Sequence, residues 1–364
     1  MYVEHLVQNK FDFICDLNTL RLMDIGATNR SVDLSDFPGP DRSKILKIDT
    51  ETFLYDCFYR WNHLYCIAPP STLLVWDKFL DHLGLSSGQT AANNFVTMVL
   101  HKCNKVIIEI PYEKIIASDL LRSTPLVEDK FPGRKKVLYT LQKDNKSSWI
   151  KQWIAMYRDF HSIDTAIIYN NNCKMYTSES LSDELSGLGV EVIVVNIPYK
   201  YGFIGRNESE WKYNYLQQSM FEHVRYRYCN ADSILINSDI DEVIFSKDGL
   251  PLDHYLTSDT PCLTFKGHWA FVSSLSDESP ELLSYSSHTI LNKDIYDKTK
   301  WIAKLDLLPV DAMMKTHHIA PDSCIKQENS LYYIHYASIT NGWNGRNFAI
   351  KEFDPSKHIA INSK

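Results

Sequence analysis

One stretch limits the fold of this chain more than any other. Ser233-Ile234-Leu235-Ile236-Asn237-Ser238 is an apolar, β-branched run that stops at Asp239-Ile240-Asp241-Glu242 and resumes as Val243-Ile244-Phe245. Such a run reads as a buried strand whose carboxyl end presents a cluster of carboxylates. In open α/β sheets, ligands bind outside that end of the strands. Asp239 and Asp241 lie two apart, so on an extended segment they would point the same way. Hard oxygen ligands of this kind suit Mg2+ or Mn2+ held together with a phosphate-bearing molecule. A solvated strand-to-loop turn would carry the same residues, so the motif alone leaves both readings open.

The flanking pattern favours a sheet. A strand is expected at Lys136–Leu141, then a helix from about Ser147 to Phe160 with Ser147-Ser148 as its cap and Trp149, Trp153 and Met156 or Tyr157 on one face. Strands follow at Thr165–Tyr169, ending in the turn residues Asn170-Asn171-Asn172, and at Val190–Val195. A long helix from about Asn207 to Cys229 then leads into the strand that ends at Asp239. Strand-helix alternation of this kind predicts an α/β fold, a mostly parallel sheet with helices on both faces. Before it, Ala91–Cys103 reads as a helix and Val106–Ile110 as a strand, within an irregular mixed α/β region. The break at Glu128–Arg134 marks the expected boundary: an N-terminal region 1–134, a main domain 135–350 and a tail 351–364.

Composition excludes several classes. With 364 residues, 44% of them hydrophobic, the chain can bury a sizeable core. A net charge of −7, with basic clusters no longer than Arg134-Lys135-Lys136, argues against nucleic acid as a partner. The start shows no charged and apolar export signal, and no apolar run approaches the ~20 residues of a membrane span, so a cytoplasmic location is expected. Eight scattered cysteines include no C-x-x-C, and free thiols are expected.

Five segments, taken in order, carry a family resemblance. They are Leu138–Asn145, Gln152–Tyr157, Ile168–Asn172, then Gln217-Gln218 with His223, Cys229 and Asp239–Glu242, and last Lys300–Lys304 with His317-His318 and Ile334-His335-Tyr336. Over residues 136–350 the chain resembles glycosyltransferases of GT-A (Rossmann-like) fold, the family 92 group, itself related to family 2. It departs from them where Asn145 and Gln152 replace glutamates and Tyr157 replaces a histidine.

The resemblance implies transfer of a sugar from a nucleotide-sugar donor, a UDP-sugar by preference, to a hydroxyl of a glycan or glycolipid acceptor. It implies inversion at the sugar carbon and a place in surface polysaccharide or glycoconjugate synthesis. A lipid-linked acceptor would bring the chain to the inner face of the membrane as a peripheral protein. Mn2+ or Mg2+ would be the cofactor, with Asp239, Asp241 and His335 as metal ligands and Asp241 central to catalysis. Asp144 and Asn171 would meet the base or ribose, Asp239 the donor sugar or ribose, and Lys300 and Lys304 the diphosphate. Glu278 would take the proton from the acceptor hydroxyl. Two readings compete: a non-catalytic glycan-binding protein on a decayed transferase fold, and a nucleotidyltransferase. The loop Gln142–Lys146 has no glycine, which counts against the second.

Overall fold

A computed structural model describes residues 12–15, 17, 19–30, 45–71, 73–84, 95–100, 103–127, 133–202, 215–273, 283–339 and 350–361. Its centre is a 13-stranded sheet. Five strands run parallel, in the spatial order Asp12–Cys15, Glu191–Ile197, Thr165–Asn171, Lys136–Gln142, Ile234–Asn237. Beyond them Tyr296–Lys304 and Cys262–Ser273 continue the sheet antiparallel. All seven residues of Thr165–Asn171 are buried, as a strand covered on both faces requires.

Helices cover the two faces, so the expected α/β architecture is what the chain forms. On one side lies Ser147–His161, which buries Trp149, Ile150, Trp153, Ile154, Tyr157 and His161, a stripe at helical spacing. Its N-cap is Lys146, with no side-chain cap bond, rather than the expected serine pair. On the other side lies Leu216–Arg227, a shorter helix than the sequence pattern suggests, and residues 203–214 of that pattern fall outside the described residues. The chain lays down Lys136–Gln142, moves outward through the next two strands, then returns to the other side of Lys136–Gln142 with Ile234–Asn237. The strand order therefore reverses between the carboxyl ends of these two strands, where such sheets open a ligand crevice.

The N-terminal region is ordered around its own four-stranded antiparallel sheet, Asp56–Arg60, His63–Ala68, Cys103–Glu109 and Phe95–Leu100. The helix expected over Ala91–Cys103 is instead the first arm of a hairpin: Phe95–Leu100 pairs with Cys103–Glu109. Val96, Thr97 and Val99 suit a pleated strand, and pairing outweighs the helical periodicity there. Neither expected boundary is clean. Asp12–Cys15 joins the edge of the central sheet, and Ile350–Lys351 and His358–Ala360, partly in the expected tail, pair with it at the other end.

The four-stranded sheet packs on the outer side of Leu216–Arg227, which explains why Ser219 through Arg227 are all buried. Charge lines this junction. Fully buried Asp56 accepts from His223 Nε2 at 2.7 Å and from Arg227 Nη1, and the other nitrogen of His223 meets Tyr169 Oη at 2.6 Å. Lys105 Nζ donates to Glu222 at 2.7 Å, and Arg60 Nη1 donates to the carbonyls of Tyr226 and Cys229 at 2.8 Å. Burial pushes the Asp56 carboxyl up, but Arg227 and His223 overcome it and hold the group below the usual carboxylate range. Burial likewise holds His223 below its ordinary value despite Asp56. Asp56 is thus ionised and His223 neutral at pH 7.

Candidate active site

The apolar strand Ile234–Asn237 ends where the chain turns sharply. Glu242 N donates to Asp239 O at 3.0 Å, closing a four-residue turn, and Glu242–Ser246 then departs as a strand paired with Leu331–Tyr336. The helix Ser147–His161 clamps this turn from beneath. Tyr157 Oη donates to Ser238 Oγ at 2.7 Å and accepts from Ile244 N at 3.1 Å, while Trp153 Nε1 donates to Glu242 O at 3.1 Å. Tyr285 Oη donates to Ile240 O from above. Because the segment is a turn and not extended, Asp239 and Asp241 do not share a direction. Asp239 faces Lys300, and Asp241 faces His335.

Lys300 is fully buried, with Nζ 2.7 Å from Asp239 Oδ2 and 2.6 Å from Glu242 Oε2. Burial opposes its charge, but the two carboxylates raise its pKa above the ordinary lysine value, so it stays an ammonium. Burial pushes the Glu242 carboxyl up to about 7 against the pull of Lys300, and Asp239 adds to the rise. His335 Nε2 lies 3.0 Å from Asp241 Oδ2, and its Nδ1 lies 3.6 Å from Glu242 Oε1. Burial lowers its pKa, yet Asp241 more than offsets this and leaves it raised. The imidazole stacks on Trp269, with ring centres 3.8 Å apart and planes 19° apart, and meets the edge of Tyr296 at 6.2 Å.

Strand register puts Trp269 beside His335: Cys262–Ser273 and Leu331–Tyr336 pair Gly267 with Tyr333 and Trp269 with His335. Gly267 is required by this close approach. A Cβ there would lie 2.6 Å from ring carbons of Tyr333, which is fully buried and donates to Lys298 O at 2.9 Å. Gly267→Ala is expected to cost about 1–3 kcal/mol of stability, read as a lowered midpoint in denaturant, because a buried ring and not a flexible tip must move.

The other predicted residues divide. Asp144 sits at the crevice end of Lys136–Gln142 in a left-handed conformation (φ 55°), its Oδ1 accepting from Lys174 N at 2.6 Å. Asn171 is not turned to the crevice. It is the last residue of its strand, buried, and its amide donates to Ile197 O at 3.0 Å and Tyr199 O at 2.8 Å, bracing the neighbouring loop. Lys304 pairs in register with Ile234, at the opposite end of the sheet from the turn. Four strand residues, about 13 Å, separate it from Lys300, so the expected diphosphate-binding pair is split. Lys300 and Lys304 are also on a strand, not on the helix that their spacing allows. Of the histidine pair, His317 packs near Lys300, which together with the larger effect of burial lowers its pKa to about 4, while His318 turns to Asp322 at 3.0 Å. Glu278 lies outside the described residues.

The sequence places Glu242 in the carboxylate cluster without a site role; in the structure its Oε2 lies 2.6 Å from Lys300 Nζ. The turn is also held by tyrosine and tryptophan side chains, of which only the helical spacing of Trp153 and Tyr157 gave a sign.

As a metal site the cluster fits in part. Asp241 Oδ2 and His335 Nε2 are hydrogen-bonded to each other at 3.0 Å, a separation that two ligands at right angles on one ion about 2.1 Å from each would also have. Asp239 instead gives its Oδ2 to Lys300, and among the described residues no three His, Cys, Asp or Glu side chains form a group placed to hold a metal. Asp241 and His335 pair with each other, apart from the contacts that Lys300 makes to Asp239 and Glu242.

No protein-family profile and no curated protein matches the chain. Among solved structures, a crystal structure of an active-site mutant of LgtC aligns with 47% of this chain at 10% identity and a TM-score of 0.26. The chain spans 58% of that structure's length. A superposition this loose adds nothing to the topology above, and the family 92 resemblance rests on the motifs. Among the described residues no helix is long and apolar enough to cross a membrane.

Proposed function

We propose that this chain is a metal-dependent glycosyltransferase that takes a nucleotide-sugar, a UDP-sugar by preference, and transfers its sugar with inversion to a glycan or glycolipid hydroxyl. The observation that carries the reading is the placement of Asp241 and His335, with Lys300 and Glu242, outside the carboxyl ends of the parallel strands where the strand order reverses. Asp144, one strand away, lies on the same edge and would meet the base or ribose. Asp241 and His335 would hold Mn2+ or Mg2+, which when bound supplies a Lewis acid for the diphosphate leaving group. Lys300 contributes a fixed positive charge beside them. The Trp269 ring, backed by His335, offers a flat apolar wall for a sugar face. Glu278 remains the candidate that the sequence offers for the base at the acceptor hydroxyl. The family resemblance supports a role in surface polysaccharide or glycoconjugate synthesis, with a lipid-linked acceptor as the route to peripheral membrane association.

Calorimetric titration of the full chain with UDP and with GDP, each with Mn2+ and with EDTA, tests this. Metal-dependent binding of one nucleotide is the expected result. Binding of neither under any condition would sink the transferase reading and favour a non-catalytic glycan-binding protein.

A further inference from the structure

The turn gathers three carboxylates, and the protein supplies a cation of its own to two of them. Lys300 Nζ is within 2.7 Å of both Asp239 and Glu242, with no exposure of its side chain. Its backbone is fixed, because Tyr296–Lys304 is an interior strand hydrogen-bonded on both sides. The next residue, Trp301, is fully buried and ties its indole N–H to Lys315 O at 2.7 Å. A lysine so placed cannot swing away as a surface lysine does. A divalent ion on Asp241 and His335 would meet this ammonium within one small cluster, where it already engages one oxygen each of Asp239 (Oδ2) and Glu242 (Oε2). Two protein ligands leave a six-coordinate ion short of partners, and phosphate oxygens are the usual remedy.

We infer that Lys300 is a built-in counter-cation that keeps the cluster's affinity for a divalent ion low until a diphosphate arrives, so that metal and nucleotide bind as a linked pair. This deepens the proposed function and rests on it for the identity of the diphosphate. Lys300 acts here as a positioning and affinity-setting residue. A diphosphate brings the oxygens that the ion lacks and offsets the charge that Lys300 adds. Coupling between two such ligands typically amounts to roughly 5–150-fold in affinity.

The test is Mn2+ titration of the nucleotide-free full chain, followed by calorimetry or by the electron paramagnetic resonance of free Mn2+. In wild type, Mn2+ alone should bind at least about tenfold more weakly than with saturating UDP or GDP. Lys300→Met keeps the length and removes the charge. It should bind Mn2+ alone at least about tenfold more tightly than wild type, with a smaller gain on adding nucleotide. A folded Lys300→Met whose Mn2+ affinity is unchanged or weaker overturns the inference. Should that variant melt in EDTA, the rise of Tm with Mn2+ is read instead, since an ion that binds only the native state stabilises it. A rise no larger than that of wild type overturns the inference equally. Failure of both nucleotides to tighten Mn2+ in wild type would fell the proposed function and the nucleotide linkage with it. The Lys300→Met comparison in Mn2+ alone would still decide the counter-cation role.

Discussion

Removal of residues 1–134 is expected to leave an insoluble or unfolded remainder, not a trimmed enzyme. The sequence suggests a boundary near Glu128–Arg134, and a separable N-terminal module would leave donor hydrolysis intact on deletion. The packing predicts otherwise. Leu216–Arg227 is buried around its whole circumference, and the half of its surface turned from the central sheet is covered by the N-terminal strands. Deletion would strip His223 and Arg227 of Asp56, Glu222 of Lys105, and the carbonyls of Tyr226 and Cys229 of Arg60. Asp56–Arg227 and Lys105–Glu222 are buried ion pairs that the deletion abolishes, and it also opens the apolar surface that Phe58, Tyr65, Ile67 and Ile107 share with Tyr226, a large loss against a total stability of roughly 5–15 kcal/mol for a domain. The edge strand Asp12–Cys15 would go as well. Expression of 135–364 followed by sedimentation and thermal melting checks this. A soluble remainder with a cooperative transition would show that the junction is a docking surface between independent domains.

The same junction shows what the sequence could and could not disclose. From Lys136 to Phe245 the strands, the helices and the carboxylate turn were legible, because each element is long, periodic and local, and Trp149, Trp153 and Tyr157 mark a helix face unaided. The hairpin of Phe95–Leu100 was not, because its strand identity comes from its partner Cys103–Glu109 and not from its own pattern. Asp56, Lys105 and Arg60 are unremarkable charged residues in the sequence, since their partners lie over a hundred positions away. In the site, the chemistry of the cluster was legible but its pairing was not. D-x-D spacing suggested two carboxylates aimed together, whereas in the turn closed by the hydrogen bond between Glu242 and Asp239 they meet different partners, Lys300 and His335. The i, i+4 lysines looked alike in sequence, but strand geometry puts Lys300 inside the cluster and Lys304 at the far edge.

Asp241→Asn is expected to abolish Mn2+-dependent nucleotide binding within calorimetric range and to lower kcat/KM for transfer by about 10^2–10^3-fold or more, the scale of losing one electrostatic partner of a developing charge. The substitution keeps the shape of the side chain and the backbone bond in which Tyr336 N donates to Asp241 O at 2.7 Å, so the turn should persist. What it removes is the negative charge that raises the His335 pKa and the oxygen lying 3.0 Å from His335 Nε2. An amide is a far weaker ligand for a hard cation than a carboxylate, and the asparagine can instead donate to the imidazole, which occupies the nitrogen that the ion would need. His335→Gln should lose less, roughly 10–100-fold, because Asp241 keeps its charge and Trp269 keeps a neighbour to pack on. Asp144→Asn should lose least, since its Oδ1 contact with Lys174 N survives the change. The ranking Asp241, then His335, then Asp144 is what separates a cation site at the turn from an ordinary structural ion pair. If Asp241→Asn retained metal-linked nucleotide binding while the variant melted several degrees lower, the pair with His335 would be a fold contact and the metal would have to be held elsewhere.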